Sequence, residues 1–125
     1  MKEYLERLGL TRVPDLPELM QAHLHNIPFE NLSVLAGRPI PLDLESLERK
    51  LLLEKQGGYC FEHNTLFEHV LRQLGYQVTP LHARVRRGVH EIRPHTHKLL
   101  RVVWKGQEHL VDVGFGGEGI SQPLP

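Results

Sequence analysis

Apolar positions follow a helical period through the first half of the chain and a strand period through the second. Tyr4, Leu5 and Leu8 make a short apolar face that ends at Gly9, a helix C-cap. Asp15-Leu16-Pro17 marks a second start, with an aspartate N-cap and proline in the first turn. Leu16, Leu19, Met20 and Leu24 form its stripe, and the helix stops before Pro28. Pro28-Phe29-Glu30-Asn31-Leu32 reads as an ordered loop, because residues before proline avoid the helical region. Asp43 caps a third helix, with Leu44, Leu47, Leu51 and Leu52 turned inward and Gly57-Gly58 as its end. A fourth runs from Cys60 to Leu74, with Phe67, Val70, Leu71 and Leu74 on one buried face and Gly75 as its stop.

After Gly75 the pattern changes. Val78–Val85 reads as a strand that Pro80 confines to an edge or a bulge. Gly88–Pro94 reads as an irregular connection. His97–Trp104 and Gln107–Val113 are two strands joined by Lys105-Gly106, the two-residue hairpin signal. Four glycines follow within Gly114–Gly119, then a proline-rich end. The expected architecture is α+β: a helical bundle over residues 1–76, then an antiparallel β-strand region over residues 77–125. Three strands are too few to close a barrel. The sheet therefore reads as an incomplete barrel, with more structure expected beyond Pro125.

Composition narrows the function classes. The 125 residues carry 15 Lys and Arg against 15 Asp and Glu, for a formal net charge of zero. That balance excludes a globally basic nucleic-acid binder and a polybasic membrane-surface protein. A hydrophobic share of 40% with 24% charged residues is the profile of a globular domain rather than a disordered tail. Apolar runs are no longer than Leu51–Leu53, far below the roughly 20 residues that cross a bilayer. Lys2, Glu3, Glu6 and Arg7 follow Met1 where a signal peptide would be apolar. One cysteine forms no internal disulfide, so the reducing cytoplasm is the expected compartment.

That cysteine, Cys60, is placed at the start of the fourth helix. Free backbone N–H groups and the positive end of the helix dipole favour thiolate over thiol there. Gly57-Gly58 lets a substrate carbonyl approach the backbone. Taken alone, a cysteine between Tyr59 and Phe61 reads more readily as a small buried hydrophobe. The hairpin supplies the rest of the argument. A two-residue turn pairs Trp104 with Gln107, setting His97 opposite Gly114 and Asp112 opposite Leu99. Side chains of His97 and Asp112 then share a face as diagonal neighbours, roughly 7–8 Å apart. His109 falls on the other face, and His95 lies one pair farther out. A carboxylate holding an imidazole, with a helix-start cysteine elsewhere, is the arrangement for nucleophilic acyl transfer.

Gly57-Gly58-Tyr59-Cys60-Phe61-Glu62 with Asn64, then Thr96-His97, then Leu110-Val111-Asp112-Val113-Gly114-Phe115-Gly116, resemble the arylamine N-acetyltransferases. His25-Asn26-Ile27-Pro28-Phe29-Glu30-Asn31-Leu32 extends the resemblance upstream, so that it covers essentially the whole chain. It implies a helical bundle carrying Cys60, a β-barrel domain carrying His97 and Asp112 in a papain-like arrangement, and a third, lid domain for which this chain is too short. It also implies that acetyl-coenzyme A acetylates Cys60, with His97 activating the thiol and Asp112 orienting the ring. The acetyl group then passes to an arylamine or arylhydrazine in a ping-pong cycle. By the same resemblance Phe29 and Phe115 line the acceptor pocket, and Gly114, Gly116 and Gly117 lie beside coenzyme A. Two positions depart from the family pattern. Gln56 stands where arginine is usual, and Lys98 replaces an apolar residue after His97, which reads as a solvated charge near the entrance or on an outer face.

Two other readings compete. One is a papain-like cysteine acyl-transfer or hydrolytic enzyme, which coenzyme A reactivity distinguishes. The other is a non-catalytic fragment that associates through its open sheet edge, for which homo-oligomers are expected. His95, His97 and Cys60 suggest zinc, but no CxxC or HExxH pattern exists, so no metal is expected.

Overall fold

The computed structural model describes residues 1–29, 41–85, 95–114 and 123–125. Helix α1 (Lys2–Arg7) is followed by Gly9 at φ 71°, the left-handed residue that ends it. Helix α2 (Leu16–Asn26) starts where Asp15 accepts the Glu18 N–H at 3.1 Å. Its buried stripe is Leu16, Leu19, Met20 and His23. The fourth place, expected for Leu24, belongs to a histidine, and Leu24 is only half-buried.

Helix α3 is capped by Asp43 and runs as an α-helix over Leu44–Leu47, then widens into a π-helical turn over Glu48–Leu53. Leu47, Leu51 and Leu52 face the core. The chain leaves through Lys55 at φ 54°, before it reaches Gly57-Gly58. Helix α4 (Cys60–Gln73) ends ahead of Gly75, at φ 93°.

Strands β1 (Gln77–Val85), β2 (His95–Trp104) and β3 (Gln107–Val111) form an antiparallel sheet in that order. Pro80 lies in β1, which has a single described neighbour, and pairs with Leu100. Lys105 (φ 53°) and Gly106 (φ 73°) are both left-handed, as a twist-matched two-residue hairpin requires. Trp104 pairs with Gln107 and Leu100 with Val111, the register read from the turn. The ladder stops at Val111, two residues short of the expected strand end, and Asp112, Val113 and Gly114 turn onto α4 instead. On the outer side of β3, Leu110 exchanges two backbone hydrogen bonds with Leu124, at 2.6 and 2.9 Å. The fold is thus α+β, helices beside an antiparallel sheet. The connection expected over Gly88–Pro94 and the Glu30-Asn31-Leu32 motif fall outside the described residues. No described helix is long and apolar enough to cross a membrane.

Between α1, α2 and α4 the core encloses a line of polar groups. His63 Nε2 donates to the Pro28 carbonyl at 2.9 Å, which leaves His63 Nδ1 to accept from His23 Nε2 at 2.9 Å. His23 Nδ1 then accepts from the Tyr4 hydroxyl at 2.7 Å. A carbonyl only accepts, so Pro28 sets the proton direction of the whole line. Desolvation holds His23 well below the usual histidine range and lowers His63 as well. Histidines buried neutral make the unfolded chain the stronger proton binder. Their stability contribution is full above the unfolded value of about 6.5 and is lost as pH falls towards the folded one. The melting temperature is therefore expected to drop between pH 7.5 and pH 5.5. His23→Leu strands the Tyr4 hydroxyl and His63 Nδ1, costing about 1–3 kcal/mol at pH 7.5, and makes the drop shallower. Thermal melts at the two pH values check both.

Candidate active site

The nucleophile candidate stands in the first turn of α4, half-buried. Just before it, Glu62 Oε1 accepts the Tyr59 N–H at 3.2 Å and so satisfies one of the free donors of the helix start. Gly58 lies against the Glu62 side chain, where an added Cβ would come within 3.0 Å. The Gly58 N–H donates to the Pro28 carbonyl at 3.2 Å, which ties the residue before Phe29 to the cysteine loop. Lys50, from the π-helical turn of α3, reaches both Glu62 oxygens at 2.8 and 3.1 Å.

His97 and Asp112 meet as the hairpin register predicted. His97 Nε2 donates to Asp112 Oδ2, and Cys60 acts on the same imidazole. The structure therefore brings Cys60, His97 and Asp112 together, with His97 bonded to Asp112 and acted on by Cys60. Asp112 first, then Cys60, pushes the imidazole up to about 9 against the opposing effect of burial.

Asn64 holds this arrangement in place. Fully buried and one turn after Cys60, it donates from Nδ2 to Asp112 Oδ1 at 2.9 Å and to the Lys98 carbonyl at 2.7 Å. Its Oδ1 accepts the Val113 N–H at 3.1 Å. Asp112 Oδ1 also accepts the Gly114 N–H at 2.9 Å. Asn64 stood inside the resembling motif, but only tertiary contact reveals its role.

Gly114 packs on the backbone of Cys60 itself: an added Cβ would sit 2.7 Å from Cys60 Cα and 2.8 Å from its carbonyl oxygen. Gly116, Gly117 and Phe115 lie outside the described residues. Phe29 is exposed and stacks on the His63 ring, with centroids 6.4 Å apart and planes 7° from parallel.

Lys98 corrects an expectation. It is buried rather than solvated, with Nζ donating to Thr65 Oγ1 at 2.9 Å and Glu68 Oε1 at 3.0 Å. Strand parity explains this, since Lys98 shares its face of β2 with Leu100 and Val102, both fully buried. Arg72 joins the same carboxylate and donates to the Val78 carbonyl at 2.9 Å, so α4 is stapled to β1 and β2 at once. Among the described residues no group of His, Cys, Asp and Glu could hold a metal ion.

A cysteine beside an imidazole that a carboxylate holds is the class of site used for cysteine-dependent acyl transfer. Comparison with known proteins is specific. A model of the N-acetyltransferase family matches residues 12–125. An arylamine N-acetyltransferase / N-hydroxyarylamine O-acetyltransferase of Salmonella typhimurium is 45% identical over 122 residues, 97% of this chain and 43% of that protein. An arylamine N-acetyltransferase of Escherichia coli is 46% identical over 114 residues, 88% of this chain and 41% of that protein. The solved arylamine N-acetyltransferase of Mycobacterium marinum in complex with CoA superposes with a TM-score of 0.89 at 40% identity, covering 98% of this chain and 49% of that one. The chain belongs to the arylamine N-acetyltransferase family. It spans less than half the length of these relatives.

Two expectations follow from the geometry. Because the folded value of His97 lies above its unfolded value of about 6.5, its contribution to stability is full below that pH and is lost as pH rises through about 9. NMR titration of the His97 ring is expected to show a midpoint near 9 that falls towards the ordinary value in Asp112→Asn. Gly114→Ala places a methyl group against backbone that cannot move aside, so it is expected to lower the melting temperature and slow alkylation of Cys60 by iodoacetamide together.

Proposed function

We propose that this chain carries the acetyl-transfer chemistry of its family, through an acetyl-cysteine at Cys60. The observation that supports this best is the His97–Asp112 pair beside Cys60, with the imidazole raised to about 9 by Asp112 first and then Cys60. A ring of that basicity takes the thiol proton onto Nδ1. The sulfur then attacks the acetyl carbonyl carbon of acetyl-coenzyme A, and a C–S bond forms. As the tetrahedral intermediate collapses, the bond to the coenzyme sulfur breaks and His97 returns its proton to that leaving thiolate. In the second half an arylamine or arylhydrazine nitrogen attacks the thioester, gives a proton to His97 and leaves acetylated, restoring Cys60. Asp112 holds the ring with Nδ1 towards sulfur and stabilises the imidazolium.

The remaining site residues fit this reading. Gly114 leaves room for the chain to run against Cys60, so a coenzyme lying along Gly114, Gly116 and Gly117 would deliver its thioester end to the sulfur. Its own N–H is engaged by Asp112, so its contribution is space rather than a donor. Phe29, exposed beside the cysteine loop, and Phe115 would flank the acceptor ring. The helices with the three-stranded sheet would be the helical bundle and the opening strands of a barrel, in a papain-like arrangement. A thiol nucleophile must stay reduced, which favours the cytoplasm.

Intact-protein mass spectrometry after incubation with acetyl-coenzyme A tests the proposal. One acetyl group per chain is expected, absent in Cys60→Ala. An unmodified chain whose Cys60 still reacts rapidly with iodoacetamide at neutral pH would overturn the coenzyme reading.

A further inference from the structure

The geometry points to Lys50 as a positioning residue that acts through charge: it neutralises a carboxylate the fold has buried beneath the nucleophile's turn. This inference rests on Cys60 reacting as a thiolate. Glu62 is 2% exposed and follows Cys60 by two residues. Its Oε1 is bound to the N–H of Tyr59, the residue before the nucleophile, and Gly58 closes over its side chain. The carboxylate therefore cannot swing out to solvent. It caps the helix that carries Cys60, but its negative charge opposes a second negative charge on the neighbouring sulfur.

Lys50 removes that conflict. Its ammonium lies 2.8 Å from Oε2 and 3.1 Å from Oε1, so the buried pair is neutral while the hydrogen bond to Tyr59 survives. Other titratable groups act on this turn: the Tyr59 phenol on Cys60 and Glu62, the His63 imidazole on Glu62, and, from the sheet side, His97 with Asp112 on Cys60; burial favours the neutral form of Tyr59 and His63. The cation arrives through the π-helical turn. There the Lys50 carbonyl accepts the Gln56 N–H at 3.0 Å, and Arg7 Nε donates to the Leu51 carbonyl at 2.9 Å, which together hold the widened turn. Such turns redirect side chains relative to a regular helix.

The test is the rate of Cys60 alkylation by iodoacetamide against pH, alongside thermal melts. Cys60 is the only cysteine, so every adduct reports on it. Lys50→Met is expected to move the midpoint of the profile upward by on the order of one pH unit, whereas Lys50→Arg leaves it in place. Glu62→Gln alone moves it downward, and the double variant Lys50→Met with Glu62→Gln returns it close to the wild-type position. A Lys50→Met profile with an unmoved midpoint overturns the inference, even if the melting temperature falls or the rate drops equally at every pH. Should Lys50→Met fail to fold, a Glu62→Gln midpoint that does not fall overturns it as well. A wild-type midpoint at the ordinary thiol value of about 8.5 is a separate result, which removes the thiolate premise on which this inference rests.

Discussion

One carboxamide joins the three pieces of chain that make the site. Asn64 projects from α4 into a space that is closed to water, and its side chain bonds β2 at the Lys98 carbonyl, the segment after β3 at the Val113 N–H, and the Asp112 carboxylate. No apolar residue of that volume could do this, because each partner is a polar group that burial would otherwise leave unsatisfied at about 1–3 kcal/mol. The ladder ends at Val111 because Asp112, Val113 and Gly114 find their hydrogen bonds on Asn64 and on each other. Sheet pairing gives way to the site at that residue.

The same logic extends along α4. Six consecutive residues, Glu62–Phe67, are buried, four of them polar. An ordinary surface helix buries one stripe. Here both sides are covered, and each of the four polar residues has a partner on another element: Glu62 with Lys50, His63 with His23 and Pro28, Asn64 with the hairpin, and Thr65 with Lys98. Buried polar groups fix relative placement more tightly than apolar contacts, since a small slip breaks directional bonds. Helix, π-helical turn and sheet are therefore locked in one register around the cysteine.

Much of this was legible in the residue pattern. The Asp15 and Asp43 caps, the left-handed Lys105-Gly106 turn and the hairpin register all follow from local rules, and the register alone paired His97 with Asp112. What escaped is non-local. Nothing in Glu48–Leu53 distinguishes a π-helical turn from an α-helical one, because the widening is held by Arg7 and Gln56 rather than by propensity. Leu24 was expected where His23 lies, although the stripe that begins at Leu16 repeats at position 23; the polar side chain masked a core position. Lys98 misled in the same way. Its strand parity pointed inward with Leu100 and Val102, and only Glu68 and Thr65, some thirty residues upstream, make that tolerable. Asn64 needed partners 34 and 48 residues away to have any meaning.

Those separations also bear on the order of folding. Helices α1 to α4 come first along the chain, whereas His97 and Asp112 reach α4 only when the hairpin closes a long loop and docks on it. Until then the thiol has neither the imidazole nor the carboxylate beside it. The site is thus completed by the docking of the hairpin, and a chain that has folded only its helices carries a cysteine set by the helix start alone. The three groups therefore share a neighbourhood only once the core between helices and sheet has closed.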